Sequence, residues 1–299
     1  MIGSVAMPRA LSPARWRLVV LALTVVGAGA AIAFGMVAAS DLSAYDAHAY
    51  WAANPATAYT LPEGSPDALL YAPPLVLLFS AIGAVVPWPA FVYGWTLIES
   101  ASIAFMAGPF TLPLILTHPI ATEITLANIH AILGVAIIAG FRWPGTWSLV
   151  LLTKLTPGVG LLWFAFRREW RALAIALGVT AAICLPTVVL APDLWARWVQ
   201  AIADNHGGPS LATGILATPL WIRLALAVPL VWWGARRGFT WVVPIAATLG
   251  LPILWDHGLA IALASIWLAM HPAYPAGVRT SASPASPAPA AAQAGVVTQ

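Results

Sequence analysis

Runs of about 20 mainly apolar residues, the length that crosses the hydrocarbon core of a bilayer as a helix, recur from Leu18 almost to Met270. Polar residues interrupt these runs in short blocks. The longest block, Ser40 to Asp67, follows a first run at Leu18 to Ala39 and holds Asp41, Asp46, His48, Glu63 and Asp67 without a Lys or Arg. The next run spans Leu69 to Val86, and four more are read as Pro89 to Ala107, Pro109 to Glu123, Ile124 to Phe141 and Thr146 to Phe166. Ala172 to Leu190, Thr218 to Gly234, Phe239 to Trp255 and Gly258 to Met270 complete the series. The expected fold class is therefore all-α, a polytopic transmembrane helical bundle of about ten spans within residues 1–270. The run from Pro109 is short and carries Pro113 and Pro119, so a tilted or re-entrant piece, leaving about nine crossings, is the alternative. Such a piece needs protein or a watery cavity over its backbone. Residues 271–299, rich in Ala, Pro and Ser and without apolar periodicity, are expected to form a disordered tail.

Composition closes the soluble alternative, because 61% of residues are hydrophobic and 8% charged, against about a quarter charged in soluble domains. The formal charge of +3 comes from Arg, with Lys154 the only lysine. These cations sit in clusters between apolar runs rather than on one basic face, so nucleic acid is not an expected partner. Positive residues favour the cytoplasmic side. Arg9, Arg15 and Arg17 thus put the N-terminus inside, and Arg167, Arg168 and Arg171, then Arg236 and Arg237, mark later inner turns. The block from Ser40 to Asp67 falls outside and the C-terminus inside, which describes a multi-pass plasma-membrane protein. The N-terminal Arg residues also suit a signal peptide, but Leu18 to Ala39 is too long for its apolar region and no clear cleavage site follows. Cys184, the one cysteine, has no disulfide partner and is read as a small core residue. Trp16, Trp88, Trp143, Trp170 and Trp255 fall near span ends, where interface anchoring is the default explanation.

Candidate chemistry gathers in the first outer block. A carboxylate held at a membrane surface can take the proton of an acceptor hydroxyl, as an inverting sugar transfer requires, and Trp51 beside it is suited to stacking on a substrate. Lys154 lies near the middle of an apolar run, where an isolated ionisable group costs several kcal/mol on some scales. Its ammonium suits the phosphate of a lipid carrier as a point charge, or else pairs with Glu99 or Glu123. Arg223, entering a span from outside, either clamps a phosphate bidentately or snorkels to the interface. Asp204, Asn205 and His206, with Asp256 and His257, are outer groups placed to line an acceptor site. Asn128 and His130 lie two residues apart and do not share a helix face, and for His130 an interhelical hydrogen bond is the preferred reading. No His-x-x-x-His or Cys-x-x-Cys spacing occurs, so no structural zinc is expected, and no cofactor is implied.

Three segments carry a resemblance. DAHAYWAA at Asp46 to Ala53 with YAPP at Tyr71 to Pro74, LANIHAILG around Asn128, and LLTKLTPGVGLLWFAFRREWRALA around Lys154 and Pro157 resemble, in order and spacing, the GT-C membrane glycosyltransferases of family 87. The resemblance implies a polyprenyl-phosphate sugar, mannose among family members, as donor, and an envelope glycolipid or glycan as acceptor. It implies Asp46 as general base, although Asp41 also satisfies Asp-x-x-x-Tyr. Only Asp46 is followed by YWAA. Within the matched segments His48, Tyr50, Trp51, Tyr71 and Asn128 are candidate substrate contacts, and from position and chemistry Lys154 and Arg223 are candidates for the donor phosphate and His206 and His257 for the acceptor. A lipid or small-solute transporter or flippase is the rival class, since intramembrane charge and proline-broken helices occur there too. No internal repeat supports it, and the acidic, aromatic block fits a catalytic surface better than a gate. Nor is there a Gly-rich turn after a strand for a nucleotide-sugar donor.

Overall fold

The computed structural model describes residues 12–61, 65–204 and 218–274, and within them every regular element is helical. The N-terminal part comprises α1 (Pro13–Ala39), α2 (Tyr45–Trp51), α3 (Pro73–Val85) and α4 (Trp88–Ala107). The middle holds α5 (Thr111–Ile115), α6 (His118–Leu126), α7 (His130–Gly140), α8 (Trp147–Thr153) and α9 (Leu162–Phe166). The C-terminal part holds α10 (Trp170–Leu190), α11 (Pro192–Asp204), α12 (Leu220–Arg237), α13 (Val242–Leu249) and α14 (Leu263–Met270).

The long helices follow from their sequences. α1 starts where the Ser12 hydroxyl accepts from Arg15 N and Pro13 occupies the first turn, both favourable helix starts. Its buried residues Gly27, Ala31, Gly35 and Ala39 recur every fourth position, a seam of small side chains that lets a second backbone approach. α4 takes that place, so close that a Cβ on Gly35 would collide with the Ser100 hydroxyl. α10 lies at the outside of the bundle with only Ala176 buried, and its apolar surface faces lipid. The centre is α7 with α14, α13 and the 3-10 helix Asp256–Ala262 packed around it.

The expected count of about ten spans is not confirmed by the helices. Among the described residues three helices are long and apolar enough to cross a membrane, Pro13–Ala39, Trp88–Ile115 and Trp170–Leu190, and a fourth is added if the α6–α7 pair, bent by 100°, counts as one. The other apolar runs are present but interrupted. Thr146 to Phe166 breaks at Lys154, where the backbone is extended (φ −143°, ψ 108°) and a 3-10 helix, Thr156–Leu161, begins with Pro157. Pro157 has no N–H to give to the Thr153 carbonyl four residues back, and its ring would crowd that carbonyl in a continued helix. Ile124 to Phe141 breaks at Ala127, which is left-handed at φ 51°. Pro109 to Glu123 divides into the 3-10 turn Gly108–Phe110, α5 and the start of α6, near Pro113 and Pro119 as expected. The tail beyond residue 274 and Arg9 lie outside the described residues.

Candidate active site

The first outer block is folded onto the bundle by aromatic side chains. α2 lies over α3 at Gly83, where any Cβ would collide with the Trp51 carbonyl. Trp51 donates its indole N–H to Val86 O (2.8 Å), and its ring packs with those of His48 and Trp88. Tyr50 inserts into the core against Phe79 and Trp95, both with ring centroids 5.2 Å away. From the far side Arg197 of α11 donates to the carbonyls of Pro55, Ala56 and Ala58, and Trp198 to that of Leu70. A cavity of about 280 Å³ remains within this block, lined by Asn54, Tyr59, Asp67 and their neighbours. Asp46 is not among the residues lining it.

Asp46 and Tyr50 stand four residues apart on α2 and so share a face. That face meets the first helix break. Ala127 O is freed by the bend and accepts from Trp95 Nε1 at 3.0 Å. Asn128 follows, with Oδ1 accepting from Ile129 N–H at 2.7 Å and from Tyr50 O–H at 3.4 Å. A backbone N–H at Oδ1 fixes which end of the amide is which, so Nδ2 is the end that donates to Asp46 Oδ2 at 2.7 Å. The Tyr50 and Tyr71 hydroxyls are 3.0 Å apart, and Tyr59 O–H donates to Tyr71 O at 2.7 Å. Burial raises both the Tyr50 and Tyr71 phenols, which stay neutral donors.

Asp46 is half-buried, and its carboxyl is pushed up to about 6, chiefly by desolvation; the Asn128 hydrogen bond and the Lys154 charge pull the other way. Asp41, by contrast, is exposed and accepts from Ser43 N–H at 2.9 Å, which lowers its carboxyl below the usual range. A base tuned toward neutral pH is the better proton acceptor for a hydroxyl.

The second break brings Lys154 to the same region. Its Nζ lies 2.6 Å from His130 Nε2, and His130 Nδ1 lies 3.0 Å from Glu123 Oε2. The sequence reading offered Glu99 or Glu123 as a structural partner of Lys154, and His130 lies between Lys154 and Glu123. His257 packs its ring 5.4 Å from that of His130, and Glu123, His130 and His257 offer ligand atoms within 4.8 Å of one another, a candidate cation set that sequence spacing did not reveal. Glu99 is fully buried with neither carboxylate oxygen hydrogen-bonded in the described residues.

Several expected site residues are placed elsewhere. Arg223 is fully buried and donates to the carbonyls of Thr218, Leu249, Leu251 and Pro252. Its guanidinium caps the end of α13, with donors engaged by these carbonyls. His48 is engaged by Asp67 at 2.5 Å, and Asp256 by His118 at 2.5 Å. Trp51 is held by Val86 and its ring neighbours rather than standing free. Asn205 and His206 lie outside the described residues.

The model of glycosyltransferase family 87 matches residues 64–285. The chain belongs to glycosyltransferase family 87. The matched residues include Tyr71, Asn128 and Lys154 but begin after Asp46, which is joined to the family 87 region by its hydrogen bond to Asn128. A curated relative, the polyprenol-phosphate-mannose-dependent alpha-(1-2)-phosphatidylinositol mannoside mannosyltransferase of Mycobacterium tuberculosis, is 31% identical across 47% of this chain and 40% of its own length. The chain therefore spans less than half of that relative. No solved structure is a significant match. Family 87 membership favours a transferase over the transporter reading, and with its apolar helices the chain is a membrane protein.

Proposed function

We propose that this family 87 chain transfers a mannosyl group from a polyprenyl-phosphate carrier to a hydroxyl of a membrane glycolipid, at the outer face of the plasma membrane, with Asp46 as general base. The observation that carries the reading is the meeting of Asp46, Asn128 and Lys154 at two helix breaks. It brings a carboxylate poised near neutral pH, held by Asn128, within electrostatic reach of a cation suited to phosphate, held by His130. Asp46 takes the proton of the acceptor hydroxyl as that oxygen bonds to the anomeric carbon. The bond from that carbon to the phosphate oxygen breaks, and polyprenyl phosphate leaves with the electron pair. The Lys154 ammonium stands where the leaving phosphate gathers charge, the place at which a preorganised cation lowers the barrier most. Tyr50, Tyr71 and Asn128 supply buried polar groups against the sugar.

The donor class is supported by the relative's name, and the outer placement by the Arg distribution of the sequence. In this arrangement both termini lie in the cytoplasm and the helices cross the membrane many times. The test is incubation of the purified chain with labelled polyprenyl-phosphate mannose and a membrane lipid extract. Label should pass to a glycolipid with the wild type and not with Asp46→Asn. Label that stays on the donor, or transfer undiminished in the variant, overturns the reading.

A further inference from the structure

Glu123, His130 and Lys154 form one hydrogen-bonded line whose direction is set by the chemistry of its ends. An ammonium only donates. At 2.6 Å, Lys154 Nζ must therefore give a proton to His130 Nε2, which carries the lone pair. The ring proton is then on Nδ1, 3.0 Å from Glu123 Oε2, and a carboxylate accepts it. The other oxygen, Oε1, accepts from Ala131 N–H at 3.0 Å. The opposite tautomer would set a ring N–H against the ammonium and a lone pair against the carboxylate. Glu123 and His130 are 0% and 1% exposed, so water does not compete for these bonds and each is strengthened by the low local dielectric.

We propose that His130 is a positioning residue, which carries the counter-charge of Glu123 to the Lys154 ammonium and so fixes that cation to receive the phosphate of a lipid-linked sugar. The proposal rests on the phosphate reading of Lys154 given above. Lysine is a point charge on a flexible four-carbon stem, and this one stands at a helix break whose extended backbone adds no restraint from a helical turn. Ordering it before the donor arrives removes part of the cost of binding. The interposed neutral ring matters as well, since it stabilises a buried cation while keeping the compensating carboxylate one residue removed from Nζ. His257 stacks its ring beside His130, and with Glu123 the two imidazoles also have the spacing of a cation set. A metal on either nitrogen of His130 would displace Glu123 or Lys154 from it, so the two occupancies exclude one another.

The experiment measures donor KM and kcat separately on the purified full chain, with synthetic polyprenyl-phosphate mannose as donor. His130→Leu should raise donor KM by roughly tenfold or more, the scale of a lost charge-assisted hydrogen bond, with a smaller effect on kcat. His130→Gln, whose amide has one acceptor and one donor end, should restore most of the affinity. Glu123→Gln keeps the size and hydrogen-bonding capacity but removes the charge, and it too should raise donor KM, which a merely structural role would not do. Thermal unfolding of each variant identifies any that fail to fold, and the near-isosteric Glu123→Gln then decides. If Lys154→Met raises donor KM while Glu123→Gln and His130→Leu leave it unchanged, the positioning role is overturned and the phosphate reading stands. If Lys154→Met itself leaves donor KM unchanged, the phosphate reading fails and takes this proposal with it. Activity abolished by a chelator, restored by Mn²⁺ and sensitive to His257→Ala would instead assign Glu123, His130 and His257 to a cation.

Discussion

α10 and the α6–α7 pair are both apolar segments of roughly the length a membrane demands, yet they have opposite fates. α10 runs unbroken for 21 residues with 6% of its most apolar window buried, whereas α6 and α7 meet at 100° and α7 is buried along most of its length. The unbroken helix satisfies its own backbone except at the turn before Pro186, and otherwise needs only lipid around it. The bent one exposes carbonyls and amides at Ala127 to Ile129 that require partners, and it finds them in Trp95 and the Asn128 side chain. Irregular backbone in a membrane protein is tolerated where protein or a cavity covers it. Such a break gathers polar side chains around itself, and the breaks at Ala127 and Lys154 carry candidate site residues, Asn128 beside the first and Lys154 at the second. The difference teaches that chemistry concentrates where the apolar pattern fails to make a helix.

The largest expected effect tests the site side of this contrast. Asp46→Asn keeps the hydrogen-bonding capacity toward Asn128 but cannot accept a proton, and general bases typically contribute about 100- to 10,000-fold. Transfer of labelled mannose should fall by that order while donor KM holds. Asp41→Asn, in an exposed turn on Ser43, should be far milder. Equal losses at the two positions would remove the distinction that burial draws between them.

The sequence made the membrane class and the long helices legible because their signal is additive over twenty residues: Leu18 to Ala39, Pro89 to Ala107 and Ala172 to Leu190 reappear as α1, α4 and α10. It left the breaks between them unread, since hydropathy averages over a break and cannot weigh a single left-handed Ala127 or the N–H that Pro157 lacks. Asp46, Asn128 and Lys154 were legible as candidates, two of them through the family resemblance. Their meeting was not, because it depends on a contact between residues 82 apart in sequence. Glu99 and Glu123 carried a signal that was underused: a carboxylate in an apolar run is costly enough to be a site hypothesis by itself. Arg223 gave the same signal and turned out to cap carbonyls, a partner that no sequence pattern marks.

A smaller, energetic contrast follows from what surrounds the two kinds of helix. Leu133 in α7 is fully buried and Leu190 in α10 is 82% exposed. Leu133→Ala leaves a cavity among packed side chains and should cost about 2–5 kcal/mol of stability. Leu190→Ala exchanges one apolar surface for another against lipid, where no hydrophobic force acts between helix and solvent, and should stay within about 0.5 kcal/mol. Thermal unfolding in one detergent measures both, and comparable losses would show that α10 is covered by protein. Arg223→Met lies between these extremes. It leaves the carbonyls of Thr218, Leu249, Leu251 and Pro252 without their donor, for a loss of about 2–4 kcal/mol. Donor KM should be unchanged, and a rise in KM in a protein of normal stability would return Arg223 to the phosphate.

The finest test concerns the hydrogen bond that joins α2 to the first break. Asp46 works as a base only when ionised, so with its carboxyl at about 6 the rate should rise with pH through that value and level off above it. Asn128 donates to the ionised carboxylate at 2.7 Å and holds its affinity for protons down. Asn128→Ala therefore moves the rising limb to higher pH, and the deficit of the variant should be largest near pH 6 and shrink at alkaline pH, staying within roughly tenfold at neutrality. Stability runs the other way. A carboxyl raised above its unfolded value of about 3.9 keeps its proton in the folded chain where the unfolded chain has lost it, so Asp46 makes the fold less stable as pH rises from about 4 to about 6 and adds no further change above. A kinetic limb and a stability slope in one pH window, with opposite signs and both moved upward in Asn128→Ala, would identify the same carboxyl in each. A deficit independent of pH would mean that Asn128 acts on the position of Asp46 and not on its charge.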